Sequence, residues 1–305
     1  MSWSEGRLHD WLARTAVAAR GVASAFGSDA VTFEPTTGRW VTCCDQTIEG
    51  VHYAPEVSPV AAGRKAAARA LSDLAATAAE PRALLLALTL PAAAEESAIR
   101  AGIDAVRERA RDFGAELVGG DLAAAGSTWR WSVTALGVQP ATRPPIGRHG
   151  ARAGDVVVLT GPTGGAQLGR HLELEPRFAA GEFLFRAGAH AMMDTSDGTA
   201  MDLERLARAS GVAFELDVVP VHRDAERAAG ASGHPAWHHA LVDGEDHELL
   251  ATLSAEAWDA IRTEAATRFP DLSAIGRAAP GEGCHWTSPE GTRLRLADLG
   301  GWLHG

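Results

Sequence analysis

Hydrophobic and polar residues follow two periods along this chain, and each period predicts one type of element. Apolar residues between 99 and 113 recur at steps of four and three, which predicts a helix that Gly114 terminates. Polar and apolar residues alternate from 129 to 138, which predicts a half-exposed strand. The apolar run at 83–90 predicts a strand buried on both faces, and the run at 155–161 predicts a buried strand that ends in a glycine-rich turn.

Similar patterns predict helices that alternate with strands along the rest of the chain, which is typical of an α/β protein. Ser58 and Pro59 mark a helix start, because serine caps the first turn and proline suits the first helical position. Further elements are predicted as helices at 8–25, 58–79, 198–210 and 255–269 and as strands at 39–44, 116–118, 191–194, 213–216 and 249–253. The stretch 139–154 holds three prolines and three arginines and is typical of a linker, so we predict two domains, 1–142 and 143–305.

Composition and charge narrow the classes of function. With 305 residues, 46% hydrophobic and 22% charged, the chain has the composition of a globular protein. A formal net charge of -11 argues against a nucleic-acid or anionic-membrane partner, because both favour a basic surface. Three cysteines make no disulfide framework, and neither a signal peptide nor a membrane-spanning run is predicted, so we expect a cytoplasmic protein.

The chemistry of this chain is concentrated in short aspartate-bearing segments where apolar runs end. In chain order these segments are Gly27-Ser-Asp29, Cys44-Asp45, Ser72-Asp73, Gly119-Gly-Asp121, Asp194-Thr-Ser-Asp197 and Asp243-Gly-Glu-Asp-His-Glu248. Any one of them could be a turn or a helix cap. Together they indicate carboxylates that hold hard divalent cations, and such cations hold polyphosphate in turn. The sequence therefore predicts a Mg²⁺-dependent enzyme that acts on phosphates.

Other candidate motifs are weaker. The segment from Gly161 to Gly165 could cradle a phosphate before a helix, but it lacks the Lys-Ser/Thr of a P-loop and is better explained as a tight turn. His52 stands alone, and a lone histidine is more often packed than catalytic. The pair His238-His239 has no spacing typical of a zinc site.

In order and spacing the aspartate segments resemble those of the thiamine-monophosphate kinases, whose superfamily also contains the aminoimidazole-ribonucleotide and selenophosphate synthetases. The matching segments are Gly27-Ser-Asp-Ala30, Cys44-Asp45 with Gly50-Val-His-Tyr53, Ser72-Asp-Leu-Ala-Ala76, Gly119-Gly-Asp121, Arg148-His-Gly-Ala-Arg-Ala-Gly-Asp155, Asp194-Thr-Ser-Asp-Gly198 and Asp243-Gly-Glu-Asp-His-Glu-Leu249. The resemblance covers nearly the whole chain.

This resemblance implies a two-domain PurM-like α/β (α+β) fold. Its N-terminal domain would bind ATP and Mg²⁺ and close a β-barrel across a homodimer, and its C-terminal domain would be α/β. The implied reaction is the phosphorylation of thiamine monophosphate to thiamine diphosphate by ATP with several Mg²⁺ ions. The implied partners are these two small molecules and a second copy of the chain, with no nucleic acid and no membrane.

The resemblance also assigns roles to residues of this chain. Metal binding falls to Asp29, Asp45, Asp73, Asp121, Asp194 and Asp197. ATP would contact Gly120, Asp121, Arg148 and Ser196, and the acceptor would contact His52, Glu245 and Trp302. No catalytic residue is expected beyond the metal ligands, because the acceptor is a phosphate monoester that is largely ionised near neutral pH, with a second pKa of about 6.

The chain departs from the family pattern at a few positions. Ser28 replaces an aspartate, and Cys43 and Cys44 stand where the family has hydroxyl residues, although thiols are poor Mg²⁺ ligands. His247 replaces a tyrosine, and Leu299 replaces a frequent aromatic residue. Two alternatives therefore stay open: a nucleotide-binding paralogue that has lost turnover, and a kinase of the same mechanism with another phosphorylated acceptor.

Overall fold

The computed structural model describes residues 4–24, 30–34 and 36–301. Contacts between Cα atoms divide the chain into two compact units. The first unit comprises Met1–Leu74, Ala79–Arg143 and Leu172–Glu175, and the second comprises Ala75–Ala78, Pro144–His171 and Pro176–Gly305. Within the described residues, no helix is long and apolar enough to cross a membrane. The functions that the sequence assigned to the two predicted domains stay predictions.

The first unit is built on a four-stranded sheet with helices on one face. Its elements in chain order are α1 (Glu5–Thr15), β1 (Val22–Ser24), β2 (Thr32–Phe33), β3 (Arg39–Ile48), α2 (Pro59–Ala76), β4 (Glu80–Leu90), α3 (Glu96–Asp112), β5 (Glu116–Ala124) and β6 (Arg130–Gln139). The sheet has the order β3-β6-β4-β5, with β4 and β5 parallel and the other neighbours antiparallel. β1 and β2 form a separate two-stranded ribbon.

Small residues let the two long helices of the first unit pack closely. Gly63 of α2 lies so near the backbone oxygen of Gly102 in α3 that a Cβ would collide with it. Gly102 in turn lies against Trp131 of β6, which is fully buried. Buried and half-buried residues alternate along β6, which confirms the prediction from its sequence. One face of the sheet is therefore covered by helices, and the other is covered in part by the β1–β2 ribbon.

The second unit contains a seven-stranded, mostly antiparallel sheet. Its elements in chain order are β7 (Val156–Leu159), α4 (Phe178–Arg186), β8 (Ala191–Asp194), α5 (Thr199–Ser210), β9 (Ala213–Leu216), α6 (Arg223–Ser232), α7 (Ala236–Val242), β10 (Leu249–Leu253), α8 (Ala255–Arg268), β11 (Ser273–Ala279), β12 (Cys284–Thr287) and β13 (Arg293–Arg295). The strand order is β13-β12-β9-β11-β7-β10-β8, and the pair β9–β12 is parallel.

Hydrophobic clusters cover both faces of this larger sheet. Val157 and Leu159 of β7 join one cluster with residues of α5, while Val156 and Val158 join another with residues of α4 and α8. All four residues of β7 are buried, as the apolar run predicted. α5 ends at Ser210, and the following Gly211 has a φ of 69°, the left-handed conformation that glycine adopts at little cost.

Three predictions about elements were wrong. α1 ends at Thr15 rather than near residue 25, and β1 begins at Val22. The Gly119-Gly-Asp121 segment is not a turn but the middle of β5, next to an irregularity in the pairing with β4. β4 is buried on one face, while Leu85 and Thr89 on its other face are half-buried and Ala87 is exposed. The fold class is the predicted mixed α/β, and within the described residues neither sheet closes into a barrel.

Candidate functional site

In the first unit, Asp45 lies inside β3 and faces the helix α2. Its register partner on β6 is Val133, which is fully buried. The side chain of Asp45 therefore lies on the helix-covered face of the sheet. The guanidinium Nε of Arg69 lies 3.5 Å from Asp45 Oδ2, and Arg69 Nη1 donates a 2.7 Å hydrogen bond to the backbone oxygen of Gln46. α2 therefore supplies a buried cation beside a predicted metal ligand.

Asp73 of α2 shares a neighbour with Asp45. The Cys43 thiol donates to the backbone oxygen of Ala70 at 3.2 Å. Burial and then the charges of Asp73 and Asp45 raise the pKa of Cys43, so the thiol stays protonated at neutral pH. Cys44 is exposed on the opposite face of β3. The structure thus brings Asp45 and Asp73 into one neighbourhood and gives Cys43 no role as a thiolate ligand.

The charged side of α2 was missed by the sequence interpretation, although a signal was present. Lys65, Arg69 and Asp73 follow each other at steps of four, so they lie on one side of the helix. Lys65 is fully buried and donates a 2.6 Å hydrogen bond to the backbone oxygen of His52. The ring Nδ1 of His52 accepts from the backbone N–H of Ile48 at 2.9 Å, which assigns the ring proton to Nε2.

Gly120 and Asp121 lie on β5. Gly120 has a φ of 153°, and a Cβ at this position would collide with the backbone oxygen of Leu86, so only glycine fits. Asp121 is exposed and is in register with Ala87, whereas Leu86 of the adjacent row is buried. The side chain of Asp121 therefore lies on the face of the sheet opposite that of Asp45, and it is not close to Asp45 and Asp73.

In the second unit, Asp194 ends β8 and is buried against His247. The Nδ1 atom of His247 lies 3.0 Å from Asp194 Oδ2, and its Nε2 lies 3.5 Å from Glu245 Oε2. Burial lowers the pKa of His247, but the hydrogen bond with Asp194 and the nearby carboxylate of Glu245 outweigh burial and raise this pKa to about 10. At neutral pH an imidazolium therefore separates two carboxylates.

Asp197 and Ser196 are fixed by the first turns of α5. The carboxylate of Asp202 accepts from the backbone N–H groups of Ser196 and Asp197 at 2.9 Å and 3.0 Å. Burial raises the pKa of Asp202 to about 6, although the N–H of Asp197 and the charge of Arg205 oppose that shift. Arg205 forms ion pairs with both Asp197 and Asp202. Arg205 was also missed by the sequence interpretation.

The glycine-rich turn after β7 is occupied by carboxylates of its own unit. The backbone N–H of Gly164 donates to Asp246 at 2.8 Å, and that of Gly165 donates to Asp243 at 2.9 Å. Arg170 pairs with Asp246 at 2.7 Å and donates to the backbone oxygen of Gly164 at 3.0 Å. The turn therefore holds the 243–248 segment in place, which agrees with the interpretation as a turn and not with a phosphate cradle.

The remaining predicted site residues are Arg148, Asp29 and Trp302. Arg148 is exposed, and its backbone oxygen accepts from Ser210 at 3.3 Å. Asp29, Ser28 and Trp302 lie outside the described residues.

The carboxylates fit Mg²⁺ by the chemistry of their oxygen donors. Within the described ranges, no group of three or more His, Cys, Asp or Glu side chains is arranged to hold a metal ion. Mg²⁺ does not need such a cage, because proteins usually bind it through one or two carboxylates, water and the phosphates of a substrate. Asp45 and Asp73 in the first unit, and Asp194 and Asp197 in the second, are suitable donors of this kind.

Known proteins resemble this chain in sequence and in overall structure. The family model for AIR synthase related protein, N-terminal domain, matches residues 27–139. A thiamine-monophosphate kinase of Rhodopirellula baltica is 37% identical over 222 residues, which are 72% of this chain and 69% of the relative. A crystal structure of thiamine-monophosphate kinase from Stenotrophomonas maltophilia K279a has a TM-score of 0.78 and 31% identity, covering 94% of this chain and 97% of that one.

One similar structure contains ligands. It is described as AaThiL complexed with AMPPCP and TMP, and it has a TM-score of 0.76 and 27% identity, covering 99% of this chain and 97% of that one. AMPPCP is an analogue of ATP. The likeness therefore extends over the described parts of both units to a protein seen with a nucleotide analogue and TMP.

Proposed function

This chain belongs to the thiamine-monophosphate kinase family, and we infer that it transfers a phosphoryl group from ATP to thiamine monophosphate, forming thiamine diphosphate. The observation that carries this conclusion is the 37% identity with a thiamine-monophosphate kinase of which the chain covers 69%. The likeness to a structure complexed with AMPPCP and TMP supports the same pair of substrates.

The aspartates are proposed to hold Mg²⁺. The proposed ligands are Asp29, Asp45, Asp73, Asp121, Asp194 and Asp197. Bound Mg²⁺ would neutralise the polyphosphate of ATP and the charge that develops during transfer. Before metal and nucleotide bind, Arg69, His247 and Arg205 lie beside Asp45, Asp194 and Asp197 and offset part of the repulsion between neighbouring carboxylates.

The acceptor needs orientation more than activation. A phosphate monoester is already largely ionised at neutral pH, with a second pKa of about 6, so its oxygen can attack without a protein base. We assign contacts with the acceptor to His52, Glu245 and Trp302, and contacts with ATP to Gly120, Asp121, Arg148 and Ser196. The hydrogen bond from Ile48 orients the His52 ring, and the hydrogen bond from the backbone N–H of Glu245 to the backbone oxygen of Ser196 holds Glu245 in place.

The protein is further proposed to act as a cytoplasmic homodimer. The face of the four-stranded sheet that α2 and α3 leave uncovered carries half-buried residues of β6 and the exposed Trp40 of β3. A second copy that covers this face would complete a barrel, in agreement with the family resemblance.

A product assay tests the proposed reaction. Purified protein is incubated with ATP, Mg²⁺ and thiamine monophosphate, and thiamine diphosphate is measured beside parallel reactions with a small panel of other phosphate monoesters. We expect product with thiamine monophosphate and little with the panel. Metal-dependent ATP binding without any product would instead identify a paralogue without turnover, and product from another monoester alone would identify a kinase with a different acceptor.

A further inference from the structure

His247 lies where two carboxylates with different proposed roles come together. Its side chain is 2% exposed, and its two ring nitrogens face Asp194 at 3.0 Å and Glu245 at 3.5 Å. Asp194 is a proposed metal ligand, and Glu245 is a proposed acceptor contact. A histidine can contact both groups at once, because its two nitrogens lie on opposite sides of one rigid ring.

The backbone around His247 is shaped to hold this arrangement. Glu245 and His247 have φ values of 70° and 53°, a left-handed conformation that is uncommon outside glycine. The N–H of Glu245 donates to the oxygen of Ser196 at 2.8 Å, and the N–H of His247 donates to the oxygen of Thr195 at 2.7 Å. Two strained residues on either side of Asp246 are thus tied to the segment that carries Asp194, as is typical of functional sites.

We propose that His247 is a positioning residue that bridges Asp194 on the magnesium side to Glu245 on the acceptor side. This inference rests on the proposed function. Groups that hydrogen-bond to a ligating carboxylate usually change metal affinity by about 10- to 100-fold when they are removed. Loss of the bridge should therefore weaken the binding of a divalent metal and of thiamine monophosphate, through two separable contacts.

Two substitutions separate the contacts. In His247→Asn the amide nitrogen falls near the position of Nδ1, so the contact with Asp194 is kept and that with Glu245 is lost. In His247→Gln the amide nitrogen falls near Nε2, so the reverse holds. The matched control is His190→Gln, because it removes a similar 2.9 Å contact, made by Nδ1 of His190 with buried Asp155 in the same unit, away from the proposed ligands.

The readouts are binding and thermal stability, not turnover alone. Mn²⁺ binding is followed by electron paramagnetic resonance without nucleotide, and thiamine monophosphate binding by calorimetry with Mg²⁺ and a non-hydrolysable ATP analogue. We expect His247→Asn to bind Mn²⁺ within twofold of the parent and to bind the acceptor about tenfold or more weakly. We expect His247→Gln to lose about 10- to 100-fold in affinity for one Mn²⁺ and less in affinity for the acceptor.

The possible outcomes decide the proposal. If both variants bind Mn²⁺ and the acceptor as tightly as the parent protein does, the proposal is overturned. Equal losses of affinity for both ligands, accompanied by a fall in melting temperature like that of His190→Gln, would also overturn it. A parent protein that binds Mn²⁺ but no thiamine monophosphate would refute the proposed acceptor and the acceptor half of the bridge. The Mn²⁺ difference between the two variants would then still decide the metal half.

Discussion

Three of the described candidate ligands already face a cation of the protein: Asp45 faces Arg69, Asp194 faces His247 and Asp197 faces Arg205. Carboxylates that are gathered to hold metal repel each other when the metal is absent, and burial adds to the cost of their charge. A neighbouring guanidinium or imidazolium offsets this cost. The cations thus offset the repulsion between the ligand oxygens of this acidic chain and hold those oxygens in place before ATP and metal bind.

Asp73→Asn and Asp121→Asn should each lower turnover by about a hundredfold or more, because a metal ion supplies several kcal/mol of charge stabilisation that an amide cannot recruit. The measurement is the initial rate of thiamine diphosphate formation at saturating Mg²⁺, with thermal unfolding as a check on the fold. Asp104→Asn is the control, since Asp104 is a half-exposed carboxylate of α3 paired with Arg107. Near-normal turnover of the first two variants would contradict the metal assignment.

Asp246 should make the stability of the protein depend on pH. Burial raises the pKa of Asp246 from 3.8 to about 7, although Arg170 and the N–H of Gly164 oppose the shift. The folded protein therefore binds this proton more tightly than the unfolded chain. The stability it contributes is present below pH 4 and is lost as the pH rises through 7.

Asp246→Asn cannot ionise, so its free energy of unfolding should rise relative to that of the parent between pH 5 and pH 8. Urea unfolding of both proteins at several pH values in this range measures the difference. Asp271→Asn, at an exposed position, should show no such trend. A difference between Asp246→Asn and the parent that stays constant with pH would refute the assignment.

Among the strands, the pairing of β4 with β5 depends on one glycine. A Cβ at Gly120 would collide with the backbone oxygen of Leu86, and its φ of 153° is unfavourable for other residues. Gly120→Ala should therefore lower the free energy of unfolding by about 2 kcal/mol or more. Gly126→Ala is the matched control, since Gly126 has a φ of 65° but open space around it.

In Gly126→Ala the free energy of unfolding should fall by about 1 kcal/mol, because this substitution adds an unfavourable φ without a collision. Urea unfolding of both variants and the parent measures the comparison. Equal losses would mean that the β4–β5 pair relaxes around the added methyl group.

The elements that the sequence predicted well are those whose pattern is local. The alternation along β6 and the periodic apolar residues of α3 each decide an element without reference to distant partners. The Gly119-Gly-Asp121 segment was misjudged as a turn because its glycines serve a parallel neighbour, β4, which lies about thirty residues earlier in the chain. Local patterns carry no information about such a partner.

The same distinction applies to the candidate site. The aspartate segments could be found from sequence because carboxylates and small residues cluster in short motifs. The contacts that orient them could not, since His247 meets Asp194 across a separation of 53 residues. Arg69 was within reach of sequence reasoning, because its spacing of four from Asp73 places both on one side of α2. An arginine on an alanine-rich helix nevertheless looks like an ordinary surface residue until β3 is placed beside it.

In the assembled protein, we expect the face of the four-stranded sheet that α2 and α3 leave uncovered to form the dimer interface. The β1–β2 ribbon covers part of this face, where it packs against β4, β5 and Leu136 of β6 and where Phe33 contacts Trp40 of β3, and the rest of the β3–β6 side is left to a partner. We expect a homodimer at micromolar concentration in sedimentation experiments. Thr134→Arg places a charge in the middle of β6 on this face, where it would be desolvated by a partner. This variant should be a folded monomer.

Thr287→Arg is the control, because Thr287 is an exposed residue at the end of β12 in the second unit. It should sediment as the parent does, while circular dichroism and thermal unfolding show that both variants keep the fold. A parent that sediments as a monomer at micromolar concentration would rule out the dimer itself. A Thr134→Arg variant that remains dimeric would place the interface elsewhere, and the half-buried residues of β6 would then be covered by something other than a second β3–β6 face.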